Sequence, residues 1–482
     1  MTPRKAGAPP DLAAANPGVR EDEWLFGALL FAGALAPRLA IALMWTAEPV
    51  WDGHYYDFAA RRIAEGHGYS DDLTIGGRLV WHPWCHYPVG YSAFLAAFYR
   101  LFGGGHAVAA AANALVGAAL AVVTWALARR AMSRLRARVA GWIVALHPGL
   151  VLYAALTMTE PLAALLTMIA FLVAVQSRRA THGLAIGALG LGVAALVRPQ
   201  ALLCVPFLGL LVPGHWREQL LAAGVACAIA LVPVLPWTAR NCRVMDGCAL
   251  VSTNGGWNLA IGAFPRATGR FETLRSSDGC REVTGQVQQD RCWFAYGVEQ
   301  IRTRPWRWLS LVPAKLGYTF DHESFAVEYL HEARPDVWPE PKREALRDLT
   351  TSAHRILLAT ACLGCLAFPV MRDRRGSVAQ GALLLIAAGL GAVALWGDRP
   401  AFWPLALFVA LVPWLPLAGR PPFPPGLALG ASLLATTIVV HAIFFGEDRY
   451  HIVVTPVLAL FAARALCAPE RIAKPRRLVG LA

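Results

Sequence analysis

The chain has 482 residues, of which 56% are hydrophobic and only 16% charged, and it carries a formal net charge of +13. Soluble domains are about 45–50% apolar and about 25% charged, so this composition excludes an ordinary soluble fold and indicates an all-α polytopic membrane protein. The positive excess is no nucleic-acid signal, because basic residues collect in the loops that membrane orientation makes cytoplasmic.

Residues 1–23 are rich in Pro, Ala and Gly, lack a signal-cleavage pattern, and read as a disordered cytoplasmic segment. A membrane domain is expected over 24–467, with a basic cytoplasmic tail over 468–482 that holds Arg471, Lys474, Arg476 and Arg477. The first span covers 24–45 and is a retained helix. A polar interruption, Glu48 to Asp57, opens the first outer loop, 46–105. Within that loop Tyr91–Phe102 is apolar but too short to cross, and reads as interfacial or re-entrant.

Spans are then expected near 106–128, 139–156, 159–176, 183–197, 199–213 and 218–236. The arginines at 129, 130, 134, 136 and 138, the pair Arg178–Arg179 and the Arg372–Arg375 cluster mark cytoplasmic turns. A second outer loop, 237–350, includes Trp306–Phe320, whose Arg307 and Lys315 among aromatics suit an interfacial helix. The remaining spans fall near 351–371, 378–396, 400–417, 425–445 and 451–467, with a stiff turn from Arg420 to Gly426. That gives about twelve spans. Cys242, Cys248, Cys280 and Cys292 all lie in the second outer loop, where the local pairings 242–248 and 280–292 compete with free thiols.

Ionisable groups at a membrane boundary mark functional sites. Asp52 is flanked by Trp51, Tyr55 and Tyr56. Aromatic shielding raises a carboxyl pKa and suits a general base, while the competing reading is a helix N-cap. Glu160, before Pro161, either joins Asp52 as a second acid on the outer face or merely begins a helix. Arg78, Arg240, Arg449 and His451 share that face, and guanidinium groups grip phosphate through paired hydrogen bonds. Arg449-Tyr450 interrupts a long apolar stretch and is the strongest of these, whereas Arg198-Pro199 reads as a structural joint. His82, Cys85 and His86 do not form a zinc pattern, because Pro83 and Pro88 break the helix that would align them. No nucleotide-binding glycine loop and no nucleophile elbow is present.

Asp52-x-x-x-Tyr56-x-x-x-Ala60, Gly66-x-Gly68-Tyr69 and Tyr87-Pro-Val-Gly-Tyr91 together resemble the first outer loop of GT-C glycosyltransferases. Within that group they are similar to bacterial relatives of dolichyl-phosphate-mannose protein mannosyltransferases and to lipid A aminoarabinose transferases. Thr159-Glu160-Pro161, Pro236-Trp237-x-x-Arg240-Asn241, Asn254-Gly-Gly-Trp257-Asn258-x-x-x-Gly262 and Arg449-Tyr450-x-x-x-x-x-Pro456 follow in the matching order. The resemblance implies a GT-C-type bundle of about twelve transmembrane helices with interfacial helices in the first outer loop. It implies a polyprenyl-phosphate-linked sugar as donor and inverting transfer on the outer face of a bacterial inner membrane, with Asp52 and Glu160 as the acids and Arg449 at the donor phosphate.

Two departures stand out: Pro88-Val-Gly-Tyr-Ser92 replaces a Pro-Pro-Gly-Tyr-Pro run, and no lysine lies near His86 and Tyr87. Arg78 or His86 is then the substitute phosphate ligand in this loop. Tyr55, Tyr56, Tyr87, Trp257, Asn258 and Tyr450 are the expected substrate contacts, with no cofactor or metal required because arginines neutralise the phosphate. The acceptor is a hydroxyl of a lipid, protein or polysaccharide. The rival readings are a transporter or lipid flippase using Asp52 and Glu160 as proton or ion sites, an enzyme using diphosphate-linked lipids, and a non-catalytic scaffold.

Overall fold

In a computed structural model the chain is a helical bundle, described over residues 17–75, 77–367, 374–396, 400–415 and 423–467. Residues 1–16, the basic tail, most of the Arg372–Arg375 cluster and the Arg420 turn lie outside the described residues.

Helical segments occupy every stretch expected to span. Four are long and apolar enough to cross a bilayer: Asp22–Met44, His106–Ala128, Arg375–Trp396 and Pro425–Ile443. Two bent pairs raise the number to six, Arg134–Leu146 with Pro148–Ala155 (53°) and Trp216–Leu231 with Leu235–Val244 (51°). The other apolar helices, such as Glu160–Gln176 and Ala180–Ala195, have 10–17 residues, at or below the shortest length that spans. The chain is a multi-pass membrane protein; by length and composition the described residues hold four to six crossing helices, with shorter apolar helices in other stretches expected to span. The shortfall has a local cause, since Pro148, Pro199 and Pro206 interrupt i→i−4 hydrogen bonding. The stretch Pro199–Leu211 is accordingly wound as a 3₁₀ helix.

Small residues let the helices approach closely. Glu340–Cys365 packs along Thr455–Leu466, and a Cβ on Gly364 would overlap the Phe461 carbonyl. Pro17–Met44 packs along His106–Ala128 and Glu160–Gln176 along Ala180–Ala195.

The first outer loop is not purely helical. Helices Asp52–Ala64 and Val89–Phe102 flank an antiparallel hairpin pairing Ser70–Ile75 with Arg78–Pro83. Trp306–Phe320, expected as one interfacial helix, is split into Pro305–Ser310 and Val312–Phe320. Its cations do not snorkel. Arg307 donates to the carbonyls of Phe264 (3.0 Å), Pro265 (2.7 Å) and Ala267 (3.0 Å). Lys315 donates to those of Ala442 (3.3 Å) and Ile443 (3.0 Å), capping the C-terminus of Pro425–Ile443, where a cation opposes the helix dipole. Cys242–Cys248 and Cys280–Cys292 are disulfide-bonded, the local pairing.

Distant acids cap several helix starts. Asp246 accepts from the amides of Val287 and Gln288, Asp290 from Gly256 and Trp257, Asp321 from Phe402 and Trp403, and Asp448 from Ser324 and Phe325. These four carboxylates satisfy the orphan donors of helix starts, which separates them from acids with a different task.

Arg38 shows how a charge is tolerated inside the first span. Its guanidinium is buried and donates to the carbonyls of Val144 (2.9 Å) and Ala145 (2.7 Å); Pro148 has no N–H for the first, and the helix break at His147 frees the second. Replacing Arg38 by Met strands both carbonyls, at about 1–3 kcal/mol each. The thermal midpoint in detergent, followed by tryptophan fluorescence, should fall clearly for Arg38→Met and less for Arg38→Lys; an unchanged midpoint for Arg38→Met would show that the bend does not need this cap.

Candidate functional site

The site begins at the end of the first span, where the chain enters Asp52–Ala64. Trp51 has a φ of 52°, a left-handed conformation uncommon for a bulky residue. Its ring lies edge-on to Tyr329 at 5.7 Å and tilted on Phe325 at 5.4 Å. The Tyr329 hydroxyl accepts from the Val50 amide (3.2 Å) and lies so close to Gly53 that a Cβ there would overlap it. Backbone strain of about 1–3 kcal/mol persists only where its surroundings enforce it, and here it fixes the direction of the next residue, Asp52.

Asp52 is the first residue of its helix but makes no cap hydrogen bond. Its Oδ1 accepts from the Tyr87 hydroxyl at 2.7 Å, and its Oδ2 from Arg449 Nη1 at 2.6 Å. Arg449 Nε also pairs with Glu447 at 2.5 Å, and its guanidinium packs 5.1 Å from the rings of Phe325 and Tyr450. Arg198 also lies 5.3 Å from the Tyr450 ring, on which His441 stacks at 4.0 Å. Arg198 Nη1 donates to Glu160 Oε1 (2.6 Å) and Thr159 Oγ1 (3.1 Å). Glu160 is fully buried and its Oε2 has no hydrogen-bond partner. Asp52, Arg449, Glu447, Tyr450, Arg198 and Glu160 therefore form one continuous constellation. A small cleft, lined by Ala163, Arg198, Leu433 and Tyr450 among others, opens beside it.

The electrostatics depart from the sequence expectation. Burial alone would raise the Asp52 carboxyl, but Arg449 and the Tyr87 hydroxyl outweigh it and hold the group below the ordinary range, the reverse of the raised value expected. The elevated acid is Glu447, which burial pushes up to about 7 against the pull of Arg449. Burial drives His86 down to about 4 despite Asp52, so it is neutral at pH 7 and brings no cation to a phosphate.

Other expected ligands are placed elsewhere. Arg240 donates to the carbonyls of Tyr69 (2.6 Å) and Trp84 (3.0 Å) and to Asn241 (3.0 Å), so it ties down the hairpin rather than facing the cluster. Arg78 is exposed at the hairpin turn. His451 is buried and turned from the cluster, with its ring nitrogens at Thr319 and Glu323. Tyr55 is exposed and stacked near Trp84, and Tyr56 packs on Tyr87 and Tyr91. Trp257 and Asn258 are half-buried in Gly255–Ala263, with Trp257 edge-on to His86 at 5.9 Å. Asp57 is held by Arg61 and Tyr99, and Glu48 is exposed.

One member was missed, and Arg198 was read as a structural joint. Glu447 stands two residues before Arg449, a spacing that suggests an acid partner for that arginine. Arg198 lies inside a long apolar stretch, where a lone cation is itself a functional signal.

The site and bundle define a multi-pass membrane protein with a buried acid–guanidinium cluster at a helix boundary. Residues 86–238, under half of the chain, match the dolichyl-phosphate-mannose-protein mannosyltransferase family, so the resemblance read from the sequence holds over a segment containing Tyr87, Glu160 and Arg198. No curated protein sequence matches the chain significantly. Among solved structures, the archaeal oligosaccharyltransferase AglB from Archaeoglobus fulgidus, in complex with an inhibitory peptide and a dolichol-phosphate, aligns with 93% of this chain and 50% of its own at 12% identity and a TM-score of 0.45. ArnT from Cupriavidus metallidurans, bound to undecaprenyl phosphate, aligns with 92% of this chain and 77% of its own at 18% identity and a TM-score of 0.36. The chain thus spans about half the length of the oligosaccharyltransferase.

The reassignment of Arg240 is testable. Arg240→Ala should expose the hairpin over 69–86 to limited proteolysis at least ~10-fold faster, as local unfolding becomes easier, while thermal protection by added polyprenyl phosphate persists. Unchanged proteolysis with lost lipid protection would return Arg240 to the phosphate site.

Proposed function

We propose that the chain is an integral-membrane glycosyltransferase moving a sugar from a polyprenyl-phosphate donor to an acceptor hydroxyl. The single observation that carries this reading is Arg449, held between Asp52 and Glu447 near the end of a membrane helix, with Arg198 close to the same Tyr450 ring. The family match over 86–238 supports it independently. The basic loop at Arg129–Arg138, read as cytoplasmic by its charge, supports assigning the cluster to the opposite face, which in this proposal is the periplasmic side of a bacterial inner membrane.

In this mechanism the bond between the anomeric carbon and the lipid-phosphate oxygen breaks while the acceptor oxygen attacks from the far side, inverting the centre. Arg449 and Arg198 stabilise the charge growing on the departing phosphate. In this reading the lipid tail leaves the phosphate past Tyr450, where the small cleft opens. Asp52 takes the acceptor proton. With Arg449 and Tyr87 on it Asp52 is a weak base, but a donor phosphate competes for Arg449 and releases the carboxylate, so donor binding restores its basicity. Glu160 positions Arg198, which narrows its expected role at the acceptor. Neutralisation by two guanidinium groups leaves no step that calls for a metal.

The test is mass spectrometry of lipids and glycoconjugates from cells with and without the protein: loss should accumulate a polyprenyl-phosphate sugar and remove one glycoconjugate. With purified protein, Asp52→Asn should lower transfer by roughly 10²–10⁴-fold at normal expression. Retained transfer would remove Asp52 from the chemistry.

Glu447 gives a pH signature. Below its value of about 7 it is neutral and leaves the Arg449 Nε side open; above it the carboxylate competes with the donor phosphate. Donor affinity should therefore fall as pH rises from 6 to 8, and Glu447→Gln should flatten that profile. A wild-type profile without this fall would contradict the assignment.

A further inference from the structure

We propose that a second site, distinct from the Asp52–Arg449 cluster, binds a divalent transition metal of the zinc class through Glu323, His354 and His451, with His147 as fourth ligand. The four come from distant segments. His147 sits at the break between Arg134–Leu146 and Pro148–Leu152, and Glu323 precedes the helix Phe325–Ala333. His354 lies in Glu340–Cys365, and His451 in the 3₁₀ turn Tyr450–Val454. Their exposures are 4%, 2%, 0% and 0% in sequence order. Ligand atoms of Glu323, His354 and His451 lie within 4.8 Å of one another, the one such grouping among the described residues.

Hydrogen bonding fixes which nitrogens face inward. His451 Nδ1 is 2.7 Å from the Thr319 carbonyl, and His354 Nε2 is 2.9 Å from the Phe320 carbonyl. A carbonyl only accepts, so each of these nitrogens carries the hydrogen. The opposite nitrogens of the neutral rings then present lone pairs to one carboxylate: His451 Nε2 is 2.8 Å and His354 Nδ1 3.9 Å from Glu323 Oε2. The two imidazoles stack at 3.8 Å, which disfavours charging both by proton.

A single proton on His451 would satisfy one of these contacts. It would leave His354 Nδ1, Glu323 Oε1 and both ring nitrogens of His147 without hydrogen-bond partners, although His147 Nδ1 lies 3.8 Å from Glu323 Oε1. Buried polar atoms without partners are rare, and several converging on one carboxylate fit a cation. Imidazoles oriented by carbonyls on their far nitrogens are the usual outer shell of metal-ligating histidines. Three nitrogens and one carboxylate oxygen suit tetrahedral zinc rather than calcium or magnesium, which prefer all-oxygen sets.

The surroundings hold Glu323 by its backbone and confine its side chain. Thr350 and Thr351 hydroxyls donate to the Glu323 carbonyl, and a Cβ on Gly149 would overlap Glu323 Oε1. His451 is two residues beyond Arg449, so an ion here fixes the turn that aims that guanidinium and takes no part in transfer.

The full-length protein, incubated with Zn²⁺ and exchanged into metal-free buffer, should retain about one zinc per chain by elemental mass spectrometry. Glu323→Gln and His354→Ala should each lower it at least ~10-fold, while His82→Ala should keep it. The wild-type thermal midpoint should drop with chelator and return with Zn²⁺. Should the variants misfold, wild-type protein loaded with Co²⁺ decides by its ligand-field spectrum, tetrahedral bands being expected. Wild-type protein without stoichiometric zinc, variants that retain it, loss in His82→Ala, or a chelator-insensitive midpoint would each overturn the site.

Discussion

The ion pair between Arg449 and Asp52 joins the two ends of the chain. Asp52 follows the first span and Arg449 precedes the last helical segment, with their side chains 2.6 Å apart. Removing such charges from water costs several kcal/mol per ion, which pairing offsets only in part. Glu447 then adds a second acid to the same guanidinium. Hydrophobic packing at this position would be the easier route to a stable bundle, so the arrangement makes physical sense as a site prepared for an incoming anion.

The fold supports that pair by assigning other charges to backbone work. Arg38, Arg307, Arg240 and Lys315 all spend their donors on carbonyls, while Asp246, Asp290, Asp321 and Asp448 cap helix starts. Lys315 caps the helix that leads into the Glu447–Arg449 turn, and Asp448 in that turn caps the helix bearing Tyr329. The hydroxyl of Tyr329 in turn holds Val50, two residues before Asp52. Stability and site geometry are thus linked through a short series of polar contacts.

Much of this was legible in the sequence. Apolar runs locate the helices because hydrocarbon burial has a simple length rule, and Asp52, Glu160 and Arg449 stand out as charges at helix boundaries. What was not legible depends on partners far away in sequence. Nothing local distinguishes Arg240, which clamps Tyr69 and Trp84, from an arginine that faces a ligand. Asp52 was open to two readings until its oxygens were seen on Tyr87 and Arg449 instead of its own helix amides. The direction of its pKa shift failed for the same reason: aromatic shielding is visible in sequence, whereas a guanidinium 397 positions away is not. Crossing number was less legible for a different reason, since short and Pro-broken helices have the composition of spans without their full length.

The most direct test of the central claim is an experimental structure with polyprenyl phosphate bound. The account predicts the phosphate within hydrogen-bond distance of Arg449 and Arg198, with Asp52 released from Arg449 and the lipid chain in the cleft beside Tyr450. A phosphate bound elsewhere, with the Asp52–Arg449 pair still closed, would contradict it.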